Sequence, residues 1–261
     1  MSDDLVRYDV IDRVALITVN DPDRRNAVTD AMSAQLRAAV ERAQSDTGVH
    51  AVVVTGAGKA FCAGADLAWM REMADYTWER NRGDAQGLAE MLWAIYRCPV
   101  PVVGRIHGDC YAGGVGLASV CDVLVAVESA NFCLSEARLG LLPATISPYV
   151  IRAMGEQAAR RYFVTAERFG ATQAAAMGFV HEVCIDAAAL DAKVDEIVAA
   201  LVANGPMALR ACKSLVQDVA GRPIDESLRA ETARRIADIR ASDEGREGVQ
   251  SFLHKRKPAW L

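Results

Sequence analysis

Four apolar stretches separated by helical patterns constrain the fold of this chain more than any other feature. Residues 49–55 are almost continuously apolar and end in Gly56-Ala57-Gly58. Such a run, without alternation, fits a strand buried on both faces, as in a parallel sheet. Residues 14–19 (V-A-L-I-T-V) predict a strand before it, joined by a polar turn at 11–13 to another over 5–9. Asp21-Pro22 then breaks the pattern, and Thr29 is placed to cap a helix running to about Gln44. Met32, Leu36, Ala39 and Val40 fall on one face of that helix. Strand, helix and strand in about fifty residues predict a crossover connection.

A second round follows. A helical pattern over 77–97 stops before Pro99 and Pro101, and strands are predicted at 101–106, 122–127 and 131–133. Residues 117–120 read as a short buried helical stretch. After Pro143 the strand signals fade. Helices are predicted at 147–154, 156–165, 172–177, 187–203, 206–220, 223–241 and 243–255, broken at Gly155, Gly170, Gly178, Gly205 and Gly221. The layout predicts an α/β core over residues 1–190 and a helical region over 191–261.

Composition narrows the partners. The 261 residues are 52% hydrophobic and 24% charged, an ordinary globular balance. A net charge of −5 argues against nucleic acid or an anionic membrane surface, while an anionic small molecule needs only a local basic cluster. Residues 1–8 are polar and acidic, which predicts no signal peptide, and no run approaches 18 apolar residues. The seven cysteines are scattered and never spaced C-x-x-C. They predict buried free thiols rather than disulfide or metal sites, as suits a reducing cytoplasm.

Two segments after predicted strands can carry chemistry. One is Ala60-Phe61-Cys62-Ala63-Gly64-Ala65-Asp66-Leu67; the other runs from Gly108 through Tyr111, Gly113 and Gly114 to Gly116. Small residues at a strand-to-helix turn let a ligand approach the backbone and free the first helical amides as donors. A tight turn or close helix packing is the alternative for either segment alone. Neither is a G-x-G-x-x-G fingerprint or a phosphate loop, which disfavours nucleotide cofactors.

Together with Asp21-Pro22, Asn26-Ala27, Cys121-Asp122, Ser135-Glu136, Gly140-Leu141-Leu142-Pro143, Gly178-Phe179-Val180 and Lys255-Arg256-Lys257-Pro258, these segments resemble the enoyl-CoA hydratase/isomerase (crotonase) family. The match runs in order along nearly the whole chain. It implies a spiral α/β core of β-β-α units, a C-terminal helical trimerisation region, and a homotrimer or dimer of trimers. It implies an acyl-CoA thioester as substrate, with no metal and no separate cofactor. The backbone amides of Ala65 and Gly113 would form an oxyanion hole, and Glu136 would move protons. Ala27, Ala63, Asp66, Leu67, Tyr111 and Gly114 would border the substrate. Arg24, Phe252 and Lys255 fall at positions that hold the coenzyme in the family, the last two partly from a neighbouring subunit. A solvated arginine, and a solvated helix end at residues 254–257, are the alternatives.

One departure bears on mechanism. Hydratases of the family pair two glutamates, and twenty residues before Glu136 this chain has Gly116. Three explanations are open: Glu136 performs both proton steps; a substrate carboxylate orients water in the space Gly116 leaves; or the reaction is a Δ3,Δ2-enoyl-CoA isomerisation, for which one base suffices. A catalytically silent acyl-CoA-binding subunit is a further alternative. Residues 64–70, 132–136 and 142–148 are similar to the methylglutaconyl-CoA hydratase group, which implies 3-methylglutaconyl-CoA as a substrate. His107 is expected to be structural or pocket-lining, Asp122 structural, and Trp69, Met70 and Met73 core or acyl-pocket wall, with core the first reading.

Overall fold

The computed structural model describes residues 4–64 and 66–261. Among these, ten strands form two sheets. In the larger sheet, β1 (Val6–Ile11) pairs antiparallel with β2 (Val14–Val19), Val6 opposite Val19. β3 (Ala51–Gly56), β5 (Val102–Ile106), β7 (Val123–Val127) and β10 (Glu182–Cys184) then add in parallel, giving the order β1-β2-β3-β5-β7-β10. The first five residues of β3 are all buried, as its unbroken apolar run demands.

The smaller sheet consists of three-residue strands: β4 (Ala60–Cys62), β6 (Asp109–Tyr111), β8 (Asn131–Cys133) and β9 (Arg168–Gly170). Successive long and short strands with their helices make the expected β-β-α units. β3 and β4 lead to α2 (Leu67–Met73), and β5 and β6 lead to α4 (Gly113–Ser119). Each unit therefore delivers its chain from the small sheet into a helix N-terminus, on which the two glycine segments lie.

Helices close the remaining faces. α1 (Asp30–Ser45) is capped by the Thr29 hydroxyl, which accepts from the Met32 amide, and buries Met32, Leu36, Ala39 and Val40. α3 (Trp78–Arg97), capped by Thr77, packs along α1. α5 (Ser147–Met154), α6 (Glu156–Thr165) and α7 (Ala171–Ala176) follow, then α8 (Ala187–Val202), α9 (Pro206–Val219), α10 (Glu226–Ala241) and α11 (Asp243–Leu253).

The expectation that strands end near Pro143 fails at β9 and β10. Three residues are too few to show a period-2 pattern, so only their pairing partners define them. Asp122 has the structural place expected of it: its carboxylate accepts from the Val102 amide at 2.7 Å and from Lys213 Nζ at 2.6 Å, tying α9 to the start of β7. All seven cysteines are free thiols, and Cys212 departs from expectation in being exposed. Among the described residues, no helix is long and apolar enough to cross a membrane.

Candidate active site

The 21–28 loop sets one wall of the site. Asn26 is wholly buried; its side-chain amide donates to the carbonyls of Ala57 and Ala60 at 2.8 and 2.7 Å and accepts from the Asp21 amide. The loop is thereby fastened to both ends of the β3–β4 turn. Its far end joins the first glycine segment, where the Val28 amide donates to the Gly64 carbonyl at 2.6 Å and Ala63 donates to Arg25. Gly64 takes φ +94°, a conformation side chains resist, and an added Cβ would lie 3.0 Å from the Ala112 Cβ. The two glycine segments are thus held against each other.

In the second segment, Ala112 adopts φ 47° and ψ −116°, an uncommon backbone conformation for a residue with a side chain, immediately before the first residue of α4. Its amide is fixed to the Cys133 carbonyl at 2.8 Å. That kink places the Gly113 amide at the open end of α4, where helical amides have no intrahelical acceptor; among the described residues it donates to no protein group. Gly114, one residue on, must be small, because a Cβ there would meet the Cys62 carbonyl oxygen at 2.5 Å.

Glu136 opens a single turn of 3₁₀ helix (Glu136–Leu139) after β8. Arg138 anchors the turn by donating to the Ala166 carbonyl at 2.6 Å, and Gly140 closes it at φ 70°. The Glu136 Oε2 atom is buried with no hydrogen-bond partner among the described residues. Burial pushes its carboxyl above the ordinary 4.5, against the weaker pull of a bond from its own amide. An acid-base group with one carboxyl oxygen buried and not committed to a protein partner is suited to exchange protons with a ligand.

Glu136, Gly113, Ala112 and Ala63 line one cavity of about 490 Å³. Met70 and Met73 of α2, Leu88 of α3 and Leu141, Leu142 and Ile146 of the following loop give it an apolar wall. Trp69, Met70 and Met73, expected in the core, are therefore pocket residues: α2 is short and leaves one side facing the cavity. Sequence reasoning missed Asp30, Ser33, Asn81 and Asp84, which also line it. They stand on the polar positions of α1 and α3, where nothing in the linear pattern separates a pocket-facing carboxylate from a solvated one.

The other predicted site residues divide. Ala65 lies outside the described residues, as does the side chain of Leu67. Asp66 is buried, but its carboxylate caps α2 by accepting from the Trp69 amide at 2.9 Å, and does not line the cavity. Arg24 approaches Asp66 and Asp21 at 3.8 and 3.9 Å, and Arg25 is paired with Asp109 at 2.5 Å. Ala27 is buried, and Tyr111 on β6 lies beside Asp109 with Arg168 over its ring, both off the cavity lining. Phe252 and Lys255 are exposed at the end of α11 and also lie off that lining. His107 is structural, its Nε2 bonded to the Gly58 carbonyl.

Gly116 requires a correction. It is buried in α4 and does not line the cavity. A Cβ there would run into the Ile146 side chain, with Ile146 Cβ only 2.8 Å away. Ile146 therefore occupies the space that a side chain leaving Gly116 would enter first, which speaks against a water or a substrate carboxylate seated against that glycine. Gly116→Ala is accordingly expected to lower stability by about 1–3 kcal/mol through overpacking, read as a fall in the urea midpoint. Ile146→Ala removes the nearest clashing atom, Cγ2, and so should cost less in the Gly116→Ala background than in the natural protein; no loss in the single Gly116→Ala variant would show that the helix and loop yield freely.

Residues 10–261 match the family model described as Enoyl-CoA hydratase/isomerase. An enoyl-CoA hydratase of Alternaria alternata is 34% identical over 254 residues, covering 96% of this chain and 82% of the relative. The 2,3-dehydroadipyl-CoA hydratase of Escherichia coli is 32% identical, with 94% of each chain covered. Among solved structures, an enoyl-CoA hydratase from Shewanella pealeana superposes with a TM-score of 0.95 at 36% identity, over 99% of this chain and 97% of that one.

Proposed function

This chain belongs to the enoyl-CoA hydratase/isomerase family, and we propose that it is a hydro-lyase adding water across the double bond of a 2-enoyl-CoA thioester. The observation that carries this reading is that Glu136, whose Oε2 atom is buried without a hydrogen-bond partner among the described residues, and the Gly113 amide at the open end of α4 line one cavity. The thioester oxygen accepts from the Gly113 amide and, by resemblance, from that of Ala65. Negative charge grows on this oxygen as hydroxide character develops at the β-carbon, and fixed donors stabilise it there.

With Ile146 in the place of a second acid, Glu136 serves both halves of the reaction. Its carboxylate takes a proton from water as the oxygen bonds to the β-carbon, and the resulting acid returns that proton to the α-carbon. Water is consumed whole and the carboxylate regenerated. One carboxylate working on one face implies addition of both groups to the same side. An isomerase reading needs the same single base, but the relatives named as hydratases do not favour it. They equally disfavour a silent binding subunit.

For the acyl group there are two readings. Resemblance in residues 64–70, 132–136 and 142–148 supports 3-methylglutaconyl-CoA, and one relative's name denotes another carboxylated acyl group. The lining weighs the other way: its ionisable side chains are Asp30, Asp84 and Glu136, with no lysine, arginine or histidine. A substrate carboxylate would enter a largely apolar cavity whose described lining already carries three acids and no counter-charge. We therefore favour an uncharged acyl chain.

The test is a panel of crotonyl-CoA, 3-methylglutaconyl-CoA and a 3-enoyl-CoA, followed by the absorbance of the conjugated thioester. Loss of absorbance on crotonyl-CoA, with kcat/KM at least about tenfold above 3-methylglutaconyl-CoA (~1.4 kcal/mol), is expected. The reverse order assigns the carboxylated substrate, and absorbance gained from the 3-enoyl-CoA assigns an isomerase. The exposed Ile224 and Phe252, and an α9 that buries no residue, support a tail that packs on other copies as a homotrimer or dimer of trimers. Sedimentation at the monomer mass would overturn that. The free thiols support a cytoplasmic setting.

A further inference from the structure

The cavity has a polar wall that the hydration chemistry does not use. Asp30 is the first residue of α1, and Asp84 lies on α3, packed alongside. Their carboxyl groups are within hydrogen-bonding reach of each other, and the Trp69 indole N–H donates to Asp84 Oδ1 at 3.0 Å. Ser33 and Asn81 border the same wall. On its other side lies an outer groove that shares Asp30, Ser33 and Asp84 with the cavity and contains neither Glu136 nor Gly113. The pair is therefore a partition between the reaction chamber and the outside. The same lining includes apolar Met70, Met73 and Leu88.

We propose that Asp30 and Asp84 set the acyl specificity of this pocket, turning away a chain that ends in a carboxylate and seating one that ends in a hydroxyl. The proposal rests on the hydratase reading, which supplies the thioester that directs an acyl chain into the cavity. A carboxylate brought to this wall meets two acids and, among the described residues of the lining, no cation; Arg80, close enough to act on Asp84, stands outside that lining. A hydroxyl can donate to either aspartate, whichever holds a proton, and accept from Ser33 or Asn81. It thus supplies hydrogen bonds in place of the water that an alkyl end would displace from Asp30 and Asn81. Burial and the facing Asp30 already push the Asp84 carboxyl up to about 6, as expected where negative charge is poorly solvated.

The experiment is a homologous series of 2-enoyl-CoA thioesters, each length supplied in alkyl, ω-hydroxy and ω-carboxy form, with kcat/KM measured for each. At the length that reaches the wall, the ω-hydroxy form is expected to exceed both others, and the ω-carboxy form by about tenfold or more. In the Asp30→Asn, Asp84→Asn double variant, nearly the same shape without charge, the hydroxy-to-carboxy ratio should fall about tenfold. Equal rates for the hydroxy and carboxy forms at every length in the natural protein would overturn the proposal, as would an unchanged ratio in the double variant. The natural-protein series stands whether or not the variant folds. Hydration of alkyl chains without the predicted order removes only this proposal; hydration of none removes the hydratase reading.

Discussion

Glu136→Gln is expected to lower turnover of a 2-enoyl-CoA by about 10²–10⁴, the usual contribution of a general acid–base group. Glutamine keeps the size and leaves the 3₁₀ turn intact, since the Arg138 guanidinium, bonded to the Ala166 carbonyl, and the Gly140 backbone hold that turn without the Glu136 carboxylate. The variant should fold and bind while losing the proton carrier. The same residue predicts the acid limb of the pH profile. Hydration needs the carboxylate form, and burial raises the pKa, so activity should fall as pH drops through a value above 4.5. In a family member with two acids the residual activity could pass to the second; here Ile146 stands in its place. A loss below tenfold, or an acid limb surviving in the glutamine variant, would move the chemistry off Glu136.

Gly113→Pro should cost about 10²–10³ in kcat, as removal of one oxyanion donor does. Proline is tolerated at the first position of a helix, where its missing N–H has no intrahelical acceptor, so the deletion is aimed at the ligand-facing donor. Gly113→Ala is the control: it keeps the amide, and its Cβ would meet Val28 Cγ2 at 3.2 Å, a contact a side-chain end can relieve. If proline and alanine lower kcat equally, with circular dichroism unchanged, space rather than the donor matters at 113. Ala65→Pro carries the same expectation for the partner amide by resemblance.

Much of this was legible along the chain because it is local. The Thr29 cap and the buried face of α1 follow from the pattern around residues 29–44, and β3 declares itself by an unbroken apolar run. Motif order also located Glu136 and Gly113, which line the expected cavity. The short strands of the second sheet were hidden, since three residues carry no period and exist through their partners. Asp66 reads in sequence as a substrate contact and serves in space as the cap of α2. Trp69, Met70 and Met73 fall in the pocket rather than the core because of where the short helix that carries them is set down.

By itself the sequence determined the strand and helix rhythm, the family and the absence of a second glutamate at 116, and it pointed to Glu136 as the proton carrier. Only the tertiary structure decided what that absence means. Ile146, thirty residues away along the chain, occupies the space, and the helix pairing of α1 with α3 brings Asp30 and Asp84 together on one wall. Local pattern reports which way a residue faces within its own element. Which residue fills a gap left by another depends on packing between elements far apart in the chain, where close-packed interiors leave no room for both.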